Sequence, residues 1–356
     1  MKNLMREYAL FVSLITLGAM FAFEHTLAHS LPGNIVGFII VFSVIIYAAL
    51  SVAHHAELLA HKYGEPYGTL ILTISAVLVE IVIIVIMMVQ SHNPNLARDT
   101  IYSAIMLDIN GLLGLSAIIG GIKYGEQQYN IDSTNSYMSM ILVAVGIAMV
   151  MPHFIDPPHH PLYFNFLIIM FLLLYIVFTR IQLKEHRYFF EYKSKEDEHG
   201  EDLETEEING PYHAAILSLS IIMIGLLSEV LAVFMENDLK AMGLPLALGA
   251  FSVAVISAAP ELITAIRSAS ANNMQTVINI AFGASLATVL LTIPAVLVVT
   301  ELMGLEIHLG LTPVQGLMIG LTLIVGIVNF NDGETNMLEG FINFVLFMVF
   351  FFLLFV

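Results

Sequence analysis

Long apolar runs, separated by short polar stretches, recur along nearly the whole chain, and the alternation expected of strands is absent. Eleven such segments can be marked, at 8–23, 32–53, 67–90, 100–122, 137–152, 162–183, 212–235, 243–266, 275–300, 312–330 and 335–356. About 20 apolar residues cross a hydrocarbon core of roughly 30 Å. Inside lipid each span must satisfy its own backbone hydrogen bonds, so runs of this length predict helices. The pattern therefore predicts an all-α integral membrane protein with eleven transmembrane helices.

Composition agrees. The chain is 58% hydrophobic and 12% charged, where soluble proteins carry about 25% charged residues. It has no cysteine, which excludes disulfides and thiolate metal sites. A formal net charge of −17 disfavours nucleic acid and anionic membrane surfaces as partners. Met1 to Phe23 has the basic flank and apolar run of a signal peptide, but no small-residue cleavage site follows Phe21-Ala22-Phe23. It reads as a retained leading helix, residues 1–30.

Lysine and arginine orient the spans. The side holding the N-terminus carries Lys2, Arg6, Lys62, Lys123, Arg180, Lys184, Arg187, Lys193, Lys195 and Arg267; the other side carries Arg98 and Lys240. With an odd number of spans this places the N-terminus inside and the C-terminus outside. Between Lys184 and Pro211 lies a strongly acidic stretch, from Glu185 to Glu207, which reads as a solvated cytoplasmic linker.

Leaving out the first helix, five spans lie on each side of that linker, 31–183 and 212–356. Five is odd, so the second set enters the membrane in the opposite sense, the condition for an inverted repeat. The two sets share an order of features. Gly64-Glu65-Pro66 precedes Glu80 by 16 residues, and Gly243-Leu244-Pro245 precedes Glu261 by 18. Glu57 and Glu229 sit in the matching helices upstream.

An acid at the centre of a membrane helix costs about 2.5–3.5 kcal/mol on insertion scales, and such residues face the bundle interior and mark ion or proton paths. Glu80 and Glu261 are placed in this way. Burial, and a second carboxylate nearby, favour the protonated acid. Two carboxylates neutralise one Ca²⁺ or carry two protons, so cation and protons exclude one another, which is antiport in its simplest form. Calcium takes six to eight oxygens. Pro260 cannot donate to the carbonyl of Ile256, which frees a backbone oxygen beside Glu261, and Ser257 offers a hydroxyl. Asn110 and Ser285 add polar atoms from the next helix of each half, with Asn279 a weaker candidate. No cofactor is called for. Asp108 is also deep, but about 200° around an α-helix from Asn110; no role is assigned to it.

At Ser257-Ala258-Ala259-Pro260-Glu261 and Asn279-Ile280-Ala281-Phe282-Gly283-Ala284-Ser285-Leu286-Ala287-Thr288, the chain resembles the second α-repeat of the Ca²⁺/cation antiporter superfamily. Gly64 to Thr73 and Thr335 to Gly340 bring the resemblance closer to bacterial ChaA-type calcium (sodium, potassium)/proton antiporters. It implies ten core helices in two inverted repeats behind a leading helix, in a bacterial inner membrane. It implies that Glu80 and Glu261 alternate between cation and protons, with Asn110 and Ser285 at matching polar positions. The first half departs from the pattern: Val77, Leu78 and Val79 precede Glu80 where Gly-Asn or Pro is frequent, and Ala76 replaces a hydroxyl. Fewer oxygens there leave room for Na⁺ or K⁺. A homo-oligomer is compatible with the sequence but not indicated by it.

Thirteen histidines invite a different class. His54, Glu57 and His61 recur at i, i+3 and i+7 on one helical face, as in a membrane metal enzyme, although no His-Glu-x-x-His motif is present. An interfacial helix end with titratable side chains, a pH-sensing one included, explains them as well. His153, His159 and His160 surround Asp156-Pro157-Pro158 in an external turn, where weak metal binding is an alternative. Glu57 and Glu229 are expected to line access routes from opposite faces. A passive channel is the third class; no filter-like loop supports it.

Overall fold

The computed structural model describes residues 7–64, 67–185 and 208–355. Among them eight helices are long and apolar enough to cross a membrane, from Leu31–Tyr63 to Met274–Met303, and Tyr8–Glu24, Pro313–Asn329 and Met337–Leu353 are shorter apolar helices. Each of the eleven expected segments contains a helix. Residues 186–207, which hold most of the acidic linker, and Glu65-Pro66 lie outside the described residues.

In chain order the helices are α1 (Tyr8–Ala28), α2 (Leu31–Tyr63), α3 (Tyr67–Ser91), α4 (Leu96–Met106), α5 (Leu113–Tyr124), α6 (Ile131–Val145) and α7 (His160–Arg180). They continue as α8 (Gly210–Met242), α9 (Ala247–Ser270), α10 (Met274–Ala287), α11 (Ile293–Met303), α12 (Pro313–Asn329) and α13 (Met337–Leu353). A π-helical turn at Leu107–Leu112 joins α4 to α5, and another at Thr288–Thr292 joins α10 to α11, so each pair makes one span.

The two halves share local construction beyond their order of features. Helices α2 and α8 are each 33 residues long, each with a proline in the first two positions. Ser30 caps α2 by accepting from Gly33 N, and Asn209 caps α8 by accepting from Tyr212 N. Each ends on a glycine with positive φ, 61° at Gly64 and 64° at Gly243, where a Cβ would be strained. The first π turn begins 27 residues after Glu80 and the second 27 residues after Glu261. Such turns insert one residue into a helix and re-aim the side chains beyond it.

Two three-residue strands accompany the helices of this all-α fold. Here β1 (Glu126–Gln128) pairs antiparallel with β2 (Glu334–Asn336), Gln127 opposite Thr335. Three residues are too short for a period of two to show against flanking apolar spans. Beside the ladder, Tyr129 donates to Glu334 O at 3.1 Å, and burial, with Asp332 and Glu339 near it, holds its hydroxyl well above the usual tyrosine range. Lys123 Nζ donates to Ser270 O at 2.6 Å at this end, and Leu311 N donates to Met149 O at 2.8 Å at the other. Each contact joins ends that alternating crossings put on one side.

The chain forms two compact units that interleave the halves expected from sequence. One comprises Met1–Thr100 and Glu206–Pro260 with Phe355; the other comprises Ile101–Thr205 and Glu261–Leu354 with Val356. In the first, α1 and α3 each pack on α2 and α8, and α2 against α8 is the most extensive contact. In the second, α5 packs closely on α13: a Cβ at Gly114 would lie 2.9 Å from Gly340 O. Small residues permit this approach, the usual source of packing between membrane helices.

Candidate functional site

Glu80 is the fourteenth of the 25 residues of α3, buried with 4% of its surface exposed. Glu261 is the fifteenth of the 24 residues of α9 and directly follows the only proline inside that helix, Pro260. The helix runs through Pro260 without ending. Because the pyrrolidine nitrogen has no hydrogen, the i−4 carbonyl of Ile256 lacks its helical donor. Ser257 Oγ donates back to Ala254 O at 3.1 Å. That bond uses the hydroxyl hydrogen and leaves oxygen lone pairs for a cation. Glu80 and Ser257 belong to the first unit, and Glu261, Asn110 and Ser285 to the second.

In the second unit the π turn at Leu107–Leu112 sorts its polar residues to different helices. Asp108, for which sequence suggested no role, is buried and accepts from Ser285 Oγ at 3.1 Å. Asn110 instead donates from Nδ2 to Thr322 Oγ1 on α12 at 2.7 Å. Its amide oxygen is buried with no donor among the described residues, a costly arrangement for a polar atom. Asn110 and Ser285, expected at matching positions of one site, thus take different partners. Asp108 and Thr322 are the residues that sequence reasoning missed. Asn279, the weaker candidate, accepts from Gln275 Nε2 at 2.9 Å, and Gln275 also donates to Ser133 Oγ at 3.0 Å.

Glu57 and Glu229 are both exposed. Glu229 accepts from Gln90 Nε2 at 3.0 Å. Counted back from the capping glycines, Glu57 lies 7 residues before Gly64 and Glu229 lies 14 before Gly243. The two helices match but the registers do not; the counterpart of Glu57 is Glu236, which pairs with Lys240.

His54, Glu57 and His61 are exposed, and among the described residues no three His, Asp or Glu side chains are grouped to hold a metal ion. The same holds for His153, His159 and His160; His160 Nε2 is bonded instead to Ile155 O at 3.0 Å. The metal-enzyme alternative therefore has no ligand geometry behind it. Among the histidines whose burial is described, the buried one is His55, next to the face that sequence singled out.

Comparison with known proteins identifies the family of the chain. The chain is 31% identical over 308 residues to the sodium-potassium/proton antiporter ChaA of Escherichia coli, covering 85% of this chain and 84% of that one. It is 26% identical over 234 residues to the Ca²⁺/H⁺ antiporter ChaA of Bacillus subtilis, covering 64% and 66%. The crystal structure of the Ca²⁺/H⁺ antiporter YfkE superposes with a TM-score of 0.77 at 19% identity, over 98% of this chain and 99% of that one, which shows a shared fold. The relatives named here are transporters rather than enzymes. The sequence model of the sodium/calcium exchanger protein family matches residues 33–184 and 212–356, both five-helix stretches and hardly anything of the leading helix or linker, and this integral membrane protein belongs to that family.

Proposed function

We propose that the protein is a secondary cation/proton antiporter in which cation and protons compete for Glu80 and Glu261. The observation that carries this is the duplicated placement of the two acids. Each stands mid-helix behind a 33-residue helix capped by glycine, and each is followed at the same interval by a π turn bearing or adjoining polar groups. An acid so placed is neutral with a proton or paired with a cation, and exchange of one for the other is the transport step. Asn110 Oδ1, Ser257 Oγ and Ser285 Oγ supply further oxygens, and the carbonyl of Ile256 is released by Pro260. The two five-helix sets act as inverted repeats whose relative movement opens the acids to either side in turn. Glu57 and Glu229 serve as acids on the access routes, at different depths. The cycle runs in a bacterial inner membrane with the N-terminus cytoplasmic, exporting Ca²⁺ as protons enter.

A second reading, monovalent exchange of Na⁺ or K⁺, is favoured by the name of the 31%-identical relative and by the aliphatic stretch before Glu80. The deciding experiment is collapse of an imposed pH gradient in proteoliposomes, with Ca²⁺, Na⁺ and K⁺ added separately. Wild type should respond, and Glu80→Gln and Glu261→Gln should fall to the protein-free background while remaining folded. Full exchange by either variant would overturn the central-site reading.

A further inference from the structure

In the first unit, four polar side chains from three segments form one chain of hydrogen bonds. Tyr212 Oη donates to Glu7 Oε1 at 2.7 Å, and Glu7 Oε2 lies 3.1 Å from His55 Nε2. His55 Nδ1 lies 2.9 Å from His213 Nδ1. Glu7 immediately precedes α1, His55 is on α2, and Tyr212 and His213 open α8. The His55 side chain is 3% exposed and that of Glu7 14%.

These distances dictate where the protons sit. A nitrogen facing a carboxylate oxygen carries hydrogen, so His55 Nε2–H donates to Glu7. Neutral His55 then has a bare Nδ1, which accepts from the Nδ1–H of His213. Each of these contacts then has one donor and one acceptor with both rings neutral. A proton added at His213 Nε2 lets His213 release its Nδ1 proton to His55. One N–H bond breaks on His213 and one forms on His55, with no ring rotation. The charge then rests on a buried imidazolium held by Glu7, while His213 is neutral in its other tautomer. A second proton would set two N–H groups head to head at the same 2.9 Å and break the pair.

We propose that His55 and His213 form a one-proton site, separate from the central acids, that takes a proton through His213 and holds it on His55 against Glu7. Its occupancy ties the start of α1 to α2 and α8 and sets the pH profile of transport. Among the described residues the other ionisable groups at this end are Tyr8 on α1, His54, Glu57, His61, Lys62 and Tyr63 on α2, and Tyr67 on α3, all exposed. His54 and Lys62 also act electrostatically on His213, but neither stands in the hydrogen-bonded chain.

The test is ring ¹⁵N NMR of the full chain in nanodiscs, titrated from about pH 9 to about pH 5, the range that brackets histidine, with His55→Gln and His213→Gln assigning the signals. Wild type should take up one proton for the pair, appearing as an imidazolium at His55. Glu7→Gln should move that event down by about one pH unit or more, since it removes the anion that holds the charge. Two rings titrating independently in this range, or an unmoved midpoint in Glu7→Gln, would overturn the site. Exchange in proteoliposomes is the second readout, and this part rests on the antiport reading. Glu7→Gln should shift the pH profile in the same direction and keep the plateau rate. An unchanged profile would overturn the link to transport. Absence of exchange at every pH, with the titration intact, would count against the antiport reading and not against the proton site.

Discussion

Ser285 Oγ donates to Asp108 Oδ2 at 3.1 Å, linking α10 to the π turn between α4 and α5 with both side chains buried. A hydrogen bond contributes about 0.5–1.5 kcal/mol net, and removing one partner of a buried one costs about 1–3 kcal/mol. Ser285→Ala should therefore lower the thermal midpoint of the purified protein and weaken cation-dependent exchange. Ser285→Thr, which restores a hydroxyl, should recover part of both. If Ser285→Ala unfolds and exchanges like wild type, the contact has neither role.

Pro260 predicts an opposition between stability and transport. Proline inside a helix costs about 3 kcal/mol in water, largely through the missing hydrogen bond and the clash with the preceding turn. Pro260→Ala gives Ile256 O a donor and withdraws it from any cation at Glu261. Thermal stability should rise, while the cation concentration giving half-maximal exchange should increase several-fold. Equal affinity in a stabilised variant would remove the Ile256 carbonyl from the site.

The glycine caps make a prediction independent of function. Nothing lies within 4 Å of a Cβ built at Gly243, so its cost is set by φ of 64° alone. Gly243→Ala should destabilise by about 1–2 kcal/mol, the penalty of an L-residue in the left-handed region. Gly316 has equally open space but lies within α12 without positive φ. Gly316→Ala should be neutral or stabilising, by about 0.5–1 kcal/mol. Thermal unfolding of the two variants side by side separates backbone conformation from side-chain volume.

What the sequence disclosed follows from how each feature is encoded. Span length is written in apolar composition, so all eleven helices were legible, as was the mid-helix position of Glu80 and Glu261, acids against an apolar background. The π turns were not, because one inserted residue leaves no mark on composition. Counting 3.6 residues per turn separated Asp108 from Asn110, and the two do take partners on different helices; that the partner of Asp108 is Ser285 required the fold. His55 was overlooked for a related reason. The search followed the face of His54, Glu57 and His61, which is exposed, whereas the neighbouring residue, about 100° around the helix, is the one turned into the protein. The two-unit grouping was likewise illegible, since repeats are read along the chain and compactness is not.

The short ladder offers a test of the second unit without reference to transport. Gln128 stands opposite Glu334 and Glu126 opposite Asn336, and the chain contains no cysteine to compete. Directly opposed residues of an antiparallel pair lie about 4.5–5.5 Å apart at Cα, within the range a disulfide spans. Gln128→Cys combined with Glu334→Cys should cross-link under mild oxidation. Gln128→Cys with Asn336→Cys is two residues out of register and should cross-link far less. Glu334 and Gln128 are not in the proposed transport machinery, and the bond would join two ends within one compact unit. The oxidised pair should therefore exchange ions at close to the wild-type rate, while a mobility shift after partial proteolysis between the two positions reports the bond. Efficient cross-linking of the out-of-register pair would place the ladder elsewhere; loss of exchange on oxidation, restored by reductant, would mean these two ends separate during the cycle.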